Sequence, residues 1–227
     1  KFLPVWEDTA NRREKLCQSI DNYNPDVFCL QECFASYKYN KCFFQERFQH
    51  YNYVFSPRSS LYVTDAGLAI FCKAPIDEYK FYLYKTGEHS DYFAGKGILA
   101  ARVGSLWIIN THLQANYDGK NSLYWTQLEQ LKELTKFINQ LKDSSKPGTQ
   151  FLLIGDLNID INNADHLNLM RELLKFVKLR SDPNIITTDE GTTLDHVWSS
   201  FEVKQVSVFD VKGLSDHQIV HAEFTLN

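Results

Sequence analysis

Five strand ends in this chain finish on side chains that can move a proton or hold a cation: Glu32, His112, Asp156 with Asn158, Asp195, and Asp216 with His217. A histidine titrates near neutrality, and a carboxylate paired with it fixes its tautomer and favours its charged form, which suits a proton carrier. Carboxylates are also the oxygen ligands that a hard dication prefers. The run Phe151-Leu152-Leu153-Ile154-Gly155-Asp156-Leu157-Asn158 is the most concentrated case, an apolar strand buried on both faces that stops at a glycine, an acid and an amide. If the chain stays extended there, Asp156 and Asn158 point to one side, an acceptor and a donor suited to a phosphate or a metal-bound water. The same two residues also suit an ordinary strand-to-loop turn.

Alternating helices and strands would have to deliver these side chains. A helix running to about Tyr23, capped by Asp8-Thr9, shows Leu16, Cys17, Ile20 and Tyr23 on one face, and Asn24-Pro25-Asp26 stops it. Val27 to Leu30 reads as a buried strand that ends at Gln31-Glu32, and residues 41 to 50 read as helical. Strands follow at Tyr51 to Phe55 and Gly67 to Cys72, while Ile76 to Tyr84 is dense in aromatics at mixed spacing. Ile98 to Val103 and Leu106 to Asn110 form a hairpin about Gly104-Ser105 that leads to His112. Residues 122 to 142 give the clearest helix, with Leu123, Leu128, Leu131, Leu134, Phe137, Ile138 and Leu141 at three- and four-residue steps. A second helix spans about Asp165 to Lys175. Three strands close the chain at Leu194 to Trp198, Val203 to Phe209 and Gln218 to Thr225. No repeat or linker divides it, so one domain of packed sheets covered by helices is expected.

Composition narrows the partners. With 44% hydrophobic residues in 227, a sizeable core is available. A net charge of -4 removes the basic footprint that usually drives nucleic-acid binding. There is no apolar run long enough to cross a bilayer, so membrane contact would be peripheral, and cytoplasmic and secreted settings both stay open. Lys1-Phe2-Leu3-Pro4 is neither an initiator methionine nor a signal peptide and reads as the start of a trimmed product or fragment. Five irregularly spaced cysteines favour free thiols, with Cys33 and Cys42 the one pair that could bridge in an oxidising compartment.

The order of Leu30-Gln31-Glu32, Thr111-His112-Leu113, Gly155-Asp156-Leu157-Asn158, Leu194-Asp195-His196 and Ser215-Asp216-His217 resembles the endonuclease/exonuclease/phosphatase superfamily of metal-dependent phosphoesterases over nearly the whole chain. That resemblance implies an α/β fold, a four-layer α/β sandwich of two facing mixed β-sheets flanked by helices (DNase I-like), with the site between the sheet ends. It implies Glu32 as a magnesium ligand, aided by Asp216, with Mn2+ or Co2+ as substitutes. His217 would be the general base and Asp195 its orienting carboxylate. His112 and Asn158 would meet the phosphoryl oxygens, and Asp156 would orient the nucleophile or assist the leaving oxygen. The superfamily also draws an asparagine ligand from a first strand, which here would lie upstream of Lys1. His50, His89, His166, His196 and His221 match no motif and are expected to be structural or at the surface.

His112-Leu113-Gln114-Ala115, Ala94-Gly95-Lys96-Gly97, Asp65-Ala66-Gly67-Leu68-Ala69-Ile70, Lys73-Ala74-Pro75-Ile76 and Gln127 are similar to the neutral sphingomyelinase branch. The branch implies hydrolysis of sphingomyelin to ceramide and phosphocholine at a membrane surface, with Lys96 touching the substrate phosphate or controlling access to the cleft. The aromatics Phe81, Tyr82, Tyr84, Tyr92 and Phe93 are read as packed sheet faces rather than lipid anchors. A nuclease would use the same catalytic set but should add basic residues along its groove. An inositol-polyphosphate phosphatase should carry arginine where His196 follows Asp195. A binding module that keeps the fold without turnover is the remaining alternative.

Overall fold

The computed structural model describes residues 10–34, 38–58, 65–87, 95–116, 125–182, 184–211 and 213–226. In chain order its elements are α1 (Ala10–Tyr23), β1 (Val27–Leu30), α2 (Lys38–Arg47), β2 (Asn52–Phe55), β3 (Ala69–Cys72), β4 (Glu78–Leu83), β5 (Gly97–Val103) and β6 (Leu106–His112). Then come α3 (Trp125–Ser144), β7 (Gln150–Asp156), α4 (Ala164–Leu173), β8 (Lys178–Leu179), β9 (Asp195–Ser199), β10 (Gln205–Phe209) and β11 (Ile219–Glu223). The proposed cap at Asp8-Thr9 and the helix residue Leu123 fall outside the described residues, as do His89, Tyr92 and Phe93.

A six-stranded sheet in the order β4-β5-β6-β7-β9-β8 carries the molecule. Its β6–β7 pair is parallel and its other ladders are antiparallel, so this sheet is mixed as expected. Among the described residues the facing layer consists of two antiparallel ladders, β1-β3-β2 and β10-β11.

Period-two alternation explains how one sheet serves two cores. Ile98, Ala100, Trp107, Ile109, Phe151, Leu153 and Trp198 pack with Leu131, Leu134, Phe137, Ile138 and Leu141 of α3 and Leu167 and Met170 of α4. Their neighbours Leu99, Ala101, Ile108, Leu152 and Val197 turn to the other face and meet Val54, Ile70 and Cys72 of the second layer. Beyond that layer Phe28, Ala69 and Phe71 pack against Cys17 of α1 and Phe44 of α2. The order is therefore helix, sheet, sheet, helix, four layers as the resemblance implied.

Two strands are illegible in the periodicity. β4 is an edge strand whose Phe81 and Tyr82 reach opposite cores, so the aromatics do not alternate with polar residues. β8 has only two residues. The hairpin of β5 and β6 turns at Gly104, where φ is +58°, as expected. Asn163 caps α4 by accepting from the amides of Asp165 and His166. All five cysteines are free; Cys33 is buried and Cys42 exposed, and the candidate bridge between them is not formed.

Tyr84 is buried, and Tyr82 donates from its hydroxyl to Glu133 Oε2 at 2.6 Å, in keeping with packed faces. Burial, then that hydrogen bond and the Glu133 charge, push the Tyr82 phenol up to about 12. The unfolded chain releases this proton near pH 10, so above that point the folded state binds more protons than the unfolded one. Stability from this phenol is complete below about pH 10 and is lost as pH rises toward about 12. Urea midpoints between about pH 9.5 and 11.5 should fall less steeply for Tyr82→Phe than for the parent. Parallel declines would refute the assignment.

Candidate active site

Sheet register places three of the expected residues abreast. His112 on β6 pairs with Asp156 on β7, and Asp156 pairs with Asp195 on β9. In-register partners share a face, and stepping back by two from each gives Asn110, Ile154 and Val197, all directed toward the second layer. The row of His112, Asp156 and Asp195 therefore continues the inter-sheet core to its polar end. His217, just before β11, joins it from the second layer: its Nδ1 lies 2.8 Å from Asp195 Oδ2 and its Nε2 lies 4.0 Å from Asp156 Oδ2. On the other side His112 Nε2 is 3.4 Å from the same Asp156 oxygen.

The strand end at Asp156 is not extended through to Asn158, which corrects the alternation expected there. Asn158 is left-handed at φ +50°, and its amide donates to Asp156 Oδ1 at 2.9 Å, an Asx turn. Its side chain then donates to the carbonyl of Leu113 at 3.1 Å rather than lying parallel to Asp156. Gly155 adopts φ +146° and passes so close to β6 that an added Cβ would sit 2.1 Å from the carbonyl oxygen of Thr111.

Buried polar side chains that sequence reading passed over position this row. Asn110 donates to the carbonyls of Leu30 and Ala69, both at 3.0 Å, and accepts from Gln31 Nε2 at 2.7 Å. Its only sequence signal is an amide at an inward position of an apolar strand. Thr187 Oγ1 accepts from the amides of Leu194 and Asp195 and so fixes the start of β9.

Charge differs sharply along the row. Burial pulls His217 down, but the Asp195 hydrogen bond and the charges of Asp156, Asp195 and Asp216 outweigh it and raise the imidazole to about 10. Burial and Asp195 raise the Asp156 carboxyl to about 7, against the opposing pull of His217, Lys96 and the Asn158 amide. His112 is pushed down by burial and by Lys96 and His217, which favours the neutral imidazole, and its Nδ1 is buried without a hydrogen-bond partner among the described residues. A buried group held neutral beside one held charged is the pattern expected of an acid–base site. His196, by contrast, is buried with Nε2 2.9 Å from the Thr193 carbonyl oxygen, a structural histidine as expected.

The remaining expected residues surround the row. Lys96 is buried, and its ammonium donates to the Leu113 carbonyl at 2.7 Å, next to His112. Glu32 is exposed at the end of β1, left-handed at φ +56°, with Gly67 packed beneath its Cα. The loop under it is tied down by Asp65, which forms a buried ion pair with Lys41 and accepts from the Gly67 amide, while the Gly67 carbonyl accepts from Cys33. Asp216 is exposed beside His217. Among the described residues, the close cluster of metal-ligand types is Asp156, Asp195 and His217, within 4.8 Å of one another, and neither Glu32 nor Asp216 belongs to it. Of this set the two carboxylates suit a hard dication: burial and then Asp195 raise the Asp156 carboxyl, and a cation there would relieve the repulsion between the two acids.

Residues 5–217 match the family model described as the endonuclease/exonuclease/phosphatase family, and the chain belongs to that family. A sphingomyelinase of Dictyostelium discoideum is 30% identical over 193 residues, covering 66% of this chain and 42% of that protein, so the match spans less than half of the relative. The structure of a mutant beta toxin from Staphylococcus aureus with bound magnesium ions is 18% identical, covers 95% of this chain and 92% of that one, and superposes with a TM-score of 0.72. TDP2 of D. rerio complexed with a single-strand DNA product is 15% identical, covers 95% and 93%, and gives 0.67. These likenesses show the mixed-sheet, helix-flanked fold.

Gly155→Ala tests the close approach of β7 to β6. A methyl group there meets a backbone oxygen that has no freedom to rotate away, and a loss of at least about 3 kcal/mol in urea unfolding is expected. A loss below about 1 kcal/mol would contradict the packing.

Proposed function

We propose, from membership of this family, that the chain is a magnesium-dependent phosphodiesterase that cleaves the head group of a phospholipid, with sphingomyelin the preferred substrate and ceramide and phosphocholine the products. The observation that carries the reading is the His217–Asp195 pair at 2.8 Å, set against Asp156 and the neutral His112 at the polar end of the inter-sheet core. The sphingomyelinase relative supports the choice of substrate, and the magnesium ions of the beta-toxin structure support the choice of metal. The net charge of -4 disfavours the nuclease alternative that the DNA-bound TDP2 structure keeps in view. Among the described residues no helix is long and apolar enough to cross a membrane, so the lipid would be met at the bilayer surface.

In this reading Glu32 and Asp216, the ligands the family resemblance implies, share the magnesium ion with the carboxylates Asp156 and Asp195. When bound, the ion supplies positive charge against the phosphoryl oxygens and the carboxylates, which lowers the proton affinity of His217 toward neutrality. His217 Nε2 takes a proton from the attacking water while Asp195 holds Nδ1 and stabilises the imidazolium that results. His112, uncharged, donates to a phosphoryl oxygen as charge develops there, with the Asn158 amide beside it. Asp156, between the two imidazoles, orients the water or assists the leaving oxygen. Lys96 holds the Leu113 carbonyl that also receives Asn158 and adds positive charge behind His112.

A side-by-side assay of sphingomyelin, phosphatidylcholine and a DNA duplex, each with magnesium and with chelator, tests the function. Sphingomyelin should be cleaved fastest and only with the metal; preference for DNA, or inactivity on all three, would overturn the proposal. His217→Ala should lower turnover by at least ~100-fold. A loss of only a few fold would remove His217 from the general-base role.

A further inference from the structure

The first turns of α3 bury amides where the rest of the helix buries leucines. Thr126, Gln127 and Gln130 are all 1% exposed or less, ahead of Leu131, Leu134 and Phe137. A buried glutamine is retained at a cost unless its polar atoms are matched, so the bonds it makes show what it is for. Gln127 Nε2 donates to the Asn158 carbonyl at 2.7 Å and to the Gln114 carbonyl at 2.8 Å, which uses both of its N–H groups. Those carbonyls lie just past the ends of β7 and β6, the strands that carry Asp156 and His112. One amide thus ties the two strand exits together.

Asn158 needs such a tie. Its left-handed backbone, φ +50°, is a conformation that a non-glycine residue keeps only where its surroundings hold it. The Asx bond from Asp156 fixes its amide, and the Leu113 carbonyl fixes its side chain. Gln127 fixes its carbonyl. One helical turn on, Gln130 accepts from the Gln114 amide at 2.8 Å and donates to the Thr86 carbonyl at 2.8 Å, so it ties the same β6 exit to the end of β4. Its hydrogen bonds go to Gln114 and Thr86 and not to Asn158.

We infer that Gln127 is a positioning residue for the reaction, acting through Asn158: it holds that residue in the left-handed turn in which its side-chain amide meets the Leu113 carbonyl, next to His112. The inference rests on the hydrolase reading of the site, and its tests separate the two. Gln127→Met keeps the length of the side chain and removes both donors; Gln127→Asn keeps an amide but is one methylene too short to reach both carbonyls, and is the milder change if the first variant folds poorly.

For either variant, kcat on sphingomyelin with magnesium should fall by ~10- to 100-fold with KM within about threefold, as a misplaced transition-state contact requires. In an Asn158→Ala background, the same Gln127 substitution should lower kcat by less than about threefold, because the side chain that Gln127 positions is already gone. Equal losses in both backgrounds would show that Gln127 acts by general loss of structure and would overturn the inference. Hydrogen exchange supplies a readout that needs no turnover: the amide of Asn158 should exchange faster in the Gln127 variants than in Gln130→Met, and equal protection would overturn the inference too. Should the parent protein cleave no phosphodiester, the exchange result still decides whether Gln127 holds Asn158, and the functional reading alone fails.

Discussion

The side-chain amide of Asn110 is the joint on which the cleft depends. It is fully buried between the sheets, donates to the ends of β1 and β3, accepts from Gln31, and lies two residues before His112 on β6. Two sheets packed only through apolar faces have no strong reason to keep one registration at their ends, since hydrophobic contact is not directional. A buried amide with its donors and acceptor all matched supplies that direction, because a slip would leave several polar groups unpaired in the core. Glu32 is brought to the rim by this joint and by the Lys41–Asp65 ion pair under the next loop.

With the sheets held, electrostatics follows from topology. The parallel β6–β7 pair sends two strand exits in one direction, and antiparallel β9 begins where β7 ends, so an imidazole and two carboxylates stand side by side. Burial is the largest influence on two of them, pushing His112 down and the Asp156 carboxyl up. The charged imidazole of His217 faces both acids, while Lys96 and His217 keep His112 neutral. The arrangement holds a proton in one place and withholds it from another within a few ångströms, and the repulsion left between Asp156 and Asp195 is where a dication would be most welcome.

Much of this is legible in the sequence. The strands that end on Asp156, His112 and Glu32 declare themselves because apolar runs stop abruptly at polar residues, and α3 because its leucines recur at helical steps. The four layers follow from alternating elements and from the superfamily resemblance. What escapes has physical causes. Asn158 breaks the two-residue alternation because an Asx turn competes successfully with an extended chain. β4 is hidden because Phe81 and Tyr82 reach opposite cores while Glu78 and Lys80 share a face with Tyr82, and β8 because two residues carry no period. Asn110, Thr187 and Gln130 are invisible because a buried polar residue looks like an interruption in a pattern until its partners, far along the chain, are known.

The most direct measurement is a titration with Mn2+ in place of magnesium, read by the paramagnetic broadening of backbone amide signals. If acids from both sheets surround one cation at the end of the inter-sheet core, the signals of Glu32 and His217 on one side and of Asp156 and Asp195 on the other should broaden together at less than one equivalent. Broadening confined to one sheet, or scattered over exposed acids elsewhere, would contradict a shared metal-bearing cleft.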